Sequence, residues 1–140
     1  MACREVEAAV KARLTAKPIT VYGGGALTVV YGNDKADAPS NEWMTVQYYA
    51  ANETLISMGE VGNRLFRENG GILFTIVRPR GGDRDYALSL CEQVKDLFRA
   101  KQFDGVSTFD IGEAALDDDI ELGDYVKFGI SVEYIFDRLA

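Results

Sequence analysis

Near the C-terminus, from Val126 to Phe136, apolar and polar residues take turns. Val126, Phe128, Ile130, Val132, Tyr134 and Phe136 alternate with Lys127, Gly129, Ser131 and Glu133. Successive side chains of a strand point to opposite faces, so a period of two gives this strand one apolar face and one polar face. The polar face must meet water or something wet, as in antiparallel sheets covered on one side only. A chain that ends this way needs further strands beside this one and a layer over its apolar face.

Other strands follow from the same rule. From Glu42 to Ala50, Met44, Val46, Tyr48 and Ala50 point one way and Trp43, Thr45, Gln47 and Tyr49 the other; neither set is strictly polar, which predicts a strand partly covered on both faces. In the segment 64–77, Ile72, Phe74 and Ile76 share one face and Leu73, Thr75 and Val77 the other. Asn69-Gly70 there reads either as a hairpin turn between two strands or as a glycine bulge within one long strand. Val106–Ile111 reads as another strand. Ile19–Tyr22 and Leu27–Tyr31 are short β-type runs separated by Gly23, Gly24 and Gly25, a pattern that suits a hairpin or a flexible link. The polar segment from Gly32 to Asn41 reads as a surface loop.

The covering layer is helical. From about residue 3 to 15, Val6, Val10 and Leu14 recur at four-residue spacing beside Ala9, and Pro18 ends the pattern. From about Asp83 to Ala100, Ala87, Cys91, Val94 and Phe98 form a stripe widened by Leu90 and Leu97. Asp83 caps that helix, Asp85 lies in its positive first turn, and Arg99 and Lys101 lie at its negative end. The order is helix, several strands, helix, two strands, with no repeated βαβ unit. The fold class is therefore α+β: a mostly antiparallel sheet with two helices packed on one face, in a single domain over residues 1–140.

Composition narrows the function. The 140 residues carry a formal charge of −7, which repels nucleic acid. No stretch approaches the roughly 18 apolar residues of a membrane span, and the acidic start "MACREVEAAV" is not a secretory signal. The two cysteines, Cys3 and Cys91, fall on the apolar sides of the predicted helices and read as buried free thiols in a reducing setting. There is no histidine, so the commonest general base, the commonest metal ligand and every Ser-His or Cys-His unit are missing. We read the chain as a non-enzyme without cofactor or metal.

Four features remain as candidate sites. The corner Pro79-Arg80-Gly81-Gly82-Asp83 joins a strand to a helix start, as phosphate loops do, but lacks their lysine and places Asp83 and Asp85 where an anion would sit. It reads as a structural turn made by Gly81, Gly82 and Asp83. The acidic run Asp117, Asp118, Asp119, Glu121 and Asp124 lacks the alternate spacing of a calcium loop and reads as a solvated loop able to dock on a basic partner. Arg64, Arg67, Arg78 and Arg80 bracket the central β segment. They are either solvated charges that discourage stray strand pairing or one half of a subunit interface whose other half is the acidic loop. Trp43, Tyr49 and Tyr22 fall on non-core faces, and exposed aromatics mark interfaces.

The stretch "ENGGILFTIVRPRGGDRDYALSLCEQVKDLF", the strand and loop after it, and the closing "DYVKFGISVEYIF" resemble the tail terminator (tail completion) proteins of long-tailed phages. There, too, a strand after a glycine ends at a Pro and a Gly-rich corner. A helix ending in a Leu-Phe pair follows, and an aromatic-ending strand closes the chain. The resemblance runs from "EVEAAVKARL" to the C-terminus and fits least between Gly23 and Ser40 and at the "ENGG" insert. It implies an α+β subunit of a closed homo-oligomeric ring, typically a hexamer. The ring caps the tail tube and offers its other face to the head-completion or connector protein. It also implies residence in the virion tail after assembly in the host cytoplasm, with no catalysis and no cofactor. A head–tail connector or neck protein is the alternative within the same particle; a small anion- or nucleotide-binding enzyme using the 79–83 corner is the alternative from another class.

Overall fold

The computed structural model describes residues 3–21, 24–31, 42–79, 84–115 and 125–139. In chain order the elements are α1 (Arg4–Ala16), β1 (Thr28–Tyr31), β2 (Trp43–Ser57), β3 (Leu65–Pro79), α2 (Arg84–Phe98), β4 (Gln102–Phe103), β5 (Val106–Ala115) and β6 (Tyr125–Leu139). The strands form one six-stranded sheet in the order β1-β2-β3-β6-β5-β4. Every neighbouring pair is antiparallel except β1–β2, which is parallel. The class is α+β with a mostly antiparallel sheet.

Register turns the period-two patterns into one apolar face. Ile76 lies opposite Met44 and Phe128, Phe74 opposite Val46 and Ile130, and Ile72 opposite Tyr48 and Val132. Cross-strand partners share a face, so these residues form a continuous apolar band across β2, β3 and β6. The same buried cluster takes Val6, Ala9, Val10 and Leu14 from α1 and Ala87, Leu90, Cys91, Val94, Leu97 and Phe98 from α2. Phe74 stacks on Phe98 with ring centroids 4.7 Å apart, fixing α2 over the middle of β3.

Residues 64–77 resolve the alternative left by Asn69-Gly70: they belong to one uninterrupted strand, paired with β6 from Leu65↔Leu139 to Pro79↔Tyr125 without a shift. The irregularity sits on β2 instead, where the register jumps between Tyr49 and Asn52. The glycines make room for rings. A Cβ on Gly70 would lie 2.7 Å from the Tyr134 hydroxyl, and one on Gly71 would collide with the Tyr49 ring.

Three boundaries differ from the sequence reading. β2 continues past Ala50 to Ser57, and β5 past Ile111 to Ala115. Ile19 and Val21 form no strand: a single bridge, Thr20↔Ala26, closes the glycine turn, and β1 then joins β2 in parallel. Cys3 is the residue before α1, half-buried against the apolar core, whereas Cys91 is fully within it.

Candidate assembly surface

The three described arginines of the candidate set lie in two places. Arg78 Nε donates to Glu42 Oε2 at 2.9 Å, and the Tyr86 hydroxyl donates to Glu42 Oε1 at 2.6 Å. The Arg78 guanidinium also lies over the Tyr86 ring, 4.6 Å from its centroid. Both charged side chains are largely buried, with 11% and 16% exposure. This group ties the start of β2 and the end of β3 to the first turn of α2. Its location follows from β3 itself, whose last two residues run past the start of β2 at Trp43↔Val77 while still paired with β6.

Arg67 and Arg64 lie at the other end of β3. At the strand rise of about 3.3 Å per residue, Arg67 and Arg78 stand roughly 35 Å apart. Arg67 makes a forked contact to Asp137, Nε to Oδ1 at 2.8 Å and Nη2 to Oδ2 at 3.0 Å. Hydrogen bonding from Arg67 holds the Asp137 carboxyl below the usual range. Arg64 Nε donates to the Gly59 carbonyl at 3.0 Å and so braces the β2–β3 turn. The structure therefore does not gather these arginines into one patch, and Arg67 and Arg78 each hold an acidic partner within the chain.

Trp43 opens β2 opposite Val77 and is half-buried. Tyr49, on the same side of β2, is 42% exposed and covers Gly71. Arg80, Gly81, Gly82, Asp83, Asp117, Asp118, Asp119, Glu121, Asp124 and Tyr22 lie outside the described residues.

The sequence reading did not find the hairpin that β2 and β3 form beyond Tyr49. Its turn is ordered: Asn63 N–H donates to the Glu60 carbonyl at 2.9 Å, and Gly62 takes a φ of +94°, a conformation open to glycine. Yet among its polar residues it holds apolar side chains in water. Met58 and Val61 are each 84% exposed, Leu55 and Ile56 are 41% and 47% exposed, and Leu139 of the adjoining β6 is 64% exposed. Apolar residues gathered on an ordered projection mark a surface that another protein covers. Two glycines spaced around "MGEVGN", after the apolar pair Leu55-Ile56, were the available signal.

At the base of this hairpin lies an open depression of about 370 Å³ bordered by Tyr49, Gly71, Phe109, Glu133 and Ile135. Phe109 is 44% exposed. The rim is aromatic and apolar, with the Glu133 carboxylate as its charged member.

Glu68 is the one carboxylate among the buried residues described, and it faces the helical layer. It accepts the Cys3 backbone N–H at 3.2 Å on each oxygen and the Tyr134 hydroxyl at 2.8 Å. The carboxylate thus stands at the positive end of α1 and pins that helix to the first, turn-side residues of β3. Burial, reinforced by the Glu68 charge, pushes the Tyr134 phenol up, and burial raises the Cys3 thiol. Among the described residues no group of three or more Cys, Asp or Glu side chains converges as metal ligands would.

No family model and no curated protein matches the chain. Eleven chains of solved structures do. One of them, whose description carries no functional term, superposes with a TM-score of 0.60 at 21% identity, over 96% of this chain and 95% of its own. That likeness spans nearly the whole of both chains and, at such identity, shows the fold alone.

Proposed function

We propose that this chain is a structural assembly protein, the tail terminator subunit of a long-tailed phage. Copies form a ring, a hexamer in this reading, that ends the tail tube on one face and receives the head-completion protein on the other. The observation that carries this reading is the β2–β3 projection, an ordered turn that presents Met58 and Val61 to water. An enzyme gains little from such a surface, whereas a subunit that docks on a tube end requires one. The resemblance of the strand–corner–helix stretch and of the closing strand to terminator proteins supplies the particular assembly.

The reading is tested with purified protein by multi-angle light scattering and negative-stain electron microscopy, alone and with tail-tube protein. Rings of uniform size that cap tube ends are expected. A chain that stays monomeric at high concentration and leaves tube ends bare contradicts it. Rings that bind the connector and ignore the tube point to a neck component of the same particle.

A further inference from the structure

The sheet is covered incompletely at both sides. β1 pairs with β2 only from Trp43 to Val46, although β2 runs on to Ser57. β4 pairs with β5 only at Val106 and Ser107, and the Thr108 N–H goes to the Lys101 carbonyl, although β5 runs on to Ala115. Among the described residues, no strand lies against the outer side of Gln47–Ser57 or of Phe109–Ala115.

Neither stretch contains the Lys, Arg or Pro that most often guard an edge, although Glu53 lies on one and Asp110 and Glu113 lie on the other. Both instead expose apolar side chains, Tyr49, Leu55 and Ile56 on one and Phe109 on the other. β2 has register shifts at Tyr49/Asn52 and Leu55/Ser57 with regular pairing between them, and β5 has one at Thr108/Ile111 with regular pairing beyond it. The straight runs Asn52–Leu55 and Ile111–Ala115 are thus the parts of each edge best shaped to take another strand.

Direction decides what fits. β2, β3, β6 and β5 alternate in direction, so β2 and β5 run opposite ways. A rotation about an axis roughly along the strands preserves these directions, and the β5 edge of one copy then meets the β2 edge of the next antiparallel. Two different edges make a heterologous contact, which repeats until it closes into a ring. An edge pairing with itself would stop at a dimer.

We propose that the ring closes by strand addition, the β2 edge Gln47–Ser57 of one copy pairing antiparallel with the β5 edge Phe109–Ala115 of the next. The occupant of each edge is a second copy of this chain, held by main-chain hydrogen bonds and by Leu55, Ile56 and Phe109. This rests on the ring reading above and names the contact that builds the ring.

The test is disulfide trapping. Single cysteines are placed on the β2 edge (Asn52→Cys, Thr54→Cys or Ile56→Cys) and on the β5 edge (Phe109→Cys, Asp110→Cys or Ile111→Cys), then combined pairwise in one chain and mildly oxidised after assembly. At least one combination should give a covalent ladder of multimers on a non-reducing denaturing gel, while the single substitutions stay monomeric there. Rings in the microscope with no ladder from any pair overturn the edge contact and leave the ring reading standing. Dimers from single substitutions also overturn it, because they mean like pairs with like. A chain that forms no ring, alone or on tube protein, removes both. Amide exchange on the unaltered protein gives a second measure: protection at residues 53–56 and 111–114 should rise by about tenfold or more on assembly. Unchanged exchange at both edges overturns the proposal.

Discussion

Tyr48 lies beside the helical layer with its hydroxyl buried, and that hydroxyl has no hydrogen-bond partner among the described residues. Burial pushes its phenol up, as it does for Tyr134. Tyr48→Phe should therefore raise stability at neutral pH by up to about 1 kcal/mol, since an unmet polar group is removed and its shape is kept. Urea unfolding measures this. The pH dependence has a definite sign. A raised folded pKa leaves stability complete below the unfolded value of about 10 and erodes it as pH rises above that. The urea midpoint should fall on the alkaline side of pH ~10, and less steeply in Tyr48→Phe. Removing Glu68 strands the Cys3 N–H and the Tyr134 hydroxyl together, so Glu68→Ala should cost about 1–3 kcal/mol. Arg78 gives a contrasting case. Because it holds Glu42 in a largely buried pair, Arg78→Ala should lower stability by about 2–4 kcal/mol before any effect on assembly is read. Arg64, bonded to a backbone carbonyl, is the better arginine for charge-reversal tests of an interface.

The elements divide into those whose residues announce them and those decided elsewhere. β6 alternates because a covered and a wetter face impose period two, the second half of β3 is an apolar run because both its faces are covered, and α2 carries an unbroken stripe with charges of the right sign at its ends. Nothing comparable marks Ala51–Ser57. "ANETLIS" mixes polar and apolar residues on both faces because it is a projecting half-strand without a layer over it. Gly70 and Gly71 read as a turn or a bulge because their true determinant is a pair of rings, Tyr134 and Tyr49, distant in sequence. Glu68 was equally invisible, since its partners come from α1 and β6. The arginines show the same limit: sequence places them around one segment, and only the length of β3 separates them. The projection carries its own prediction. Met58→Asp with Val61→Asp alters two exposed positions, so the melting temperature should stay within a few degrees. Binding to tube protein should nonetheless be lost in a pull-down.

For the whole molecule, charge and edges oppose one another. Each copy carries −7, so copies repel at low ionic strength, and screening should favour assembly. Sedimentation velocity should show the oligomer fraction rising as salt increases from about 0.05 to about 0.5 M, with screening lengths from about 14 to about 4 Å. If arginines docked on the acidic run Asp117–Asp124 held the ring instead, salt would dissolve it. The central claim concerns what the ring does: it ends a tube. Electron micrographs of particles assembled without this chain test that most directly. The account predicts tails that run past their normal length and vary from particle to particle, and tails of normal, uniform length would contradict it.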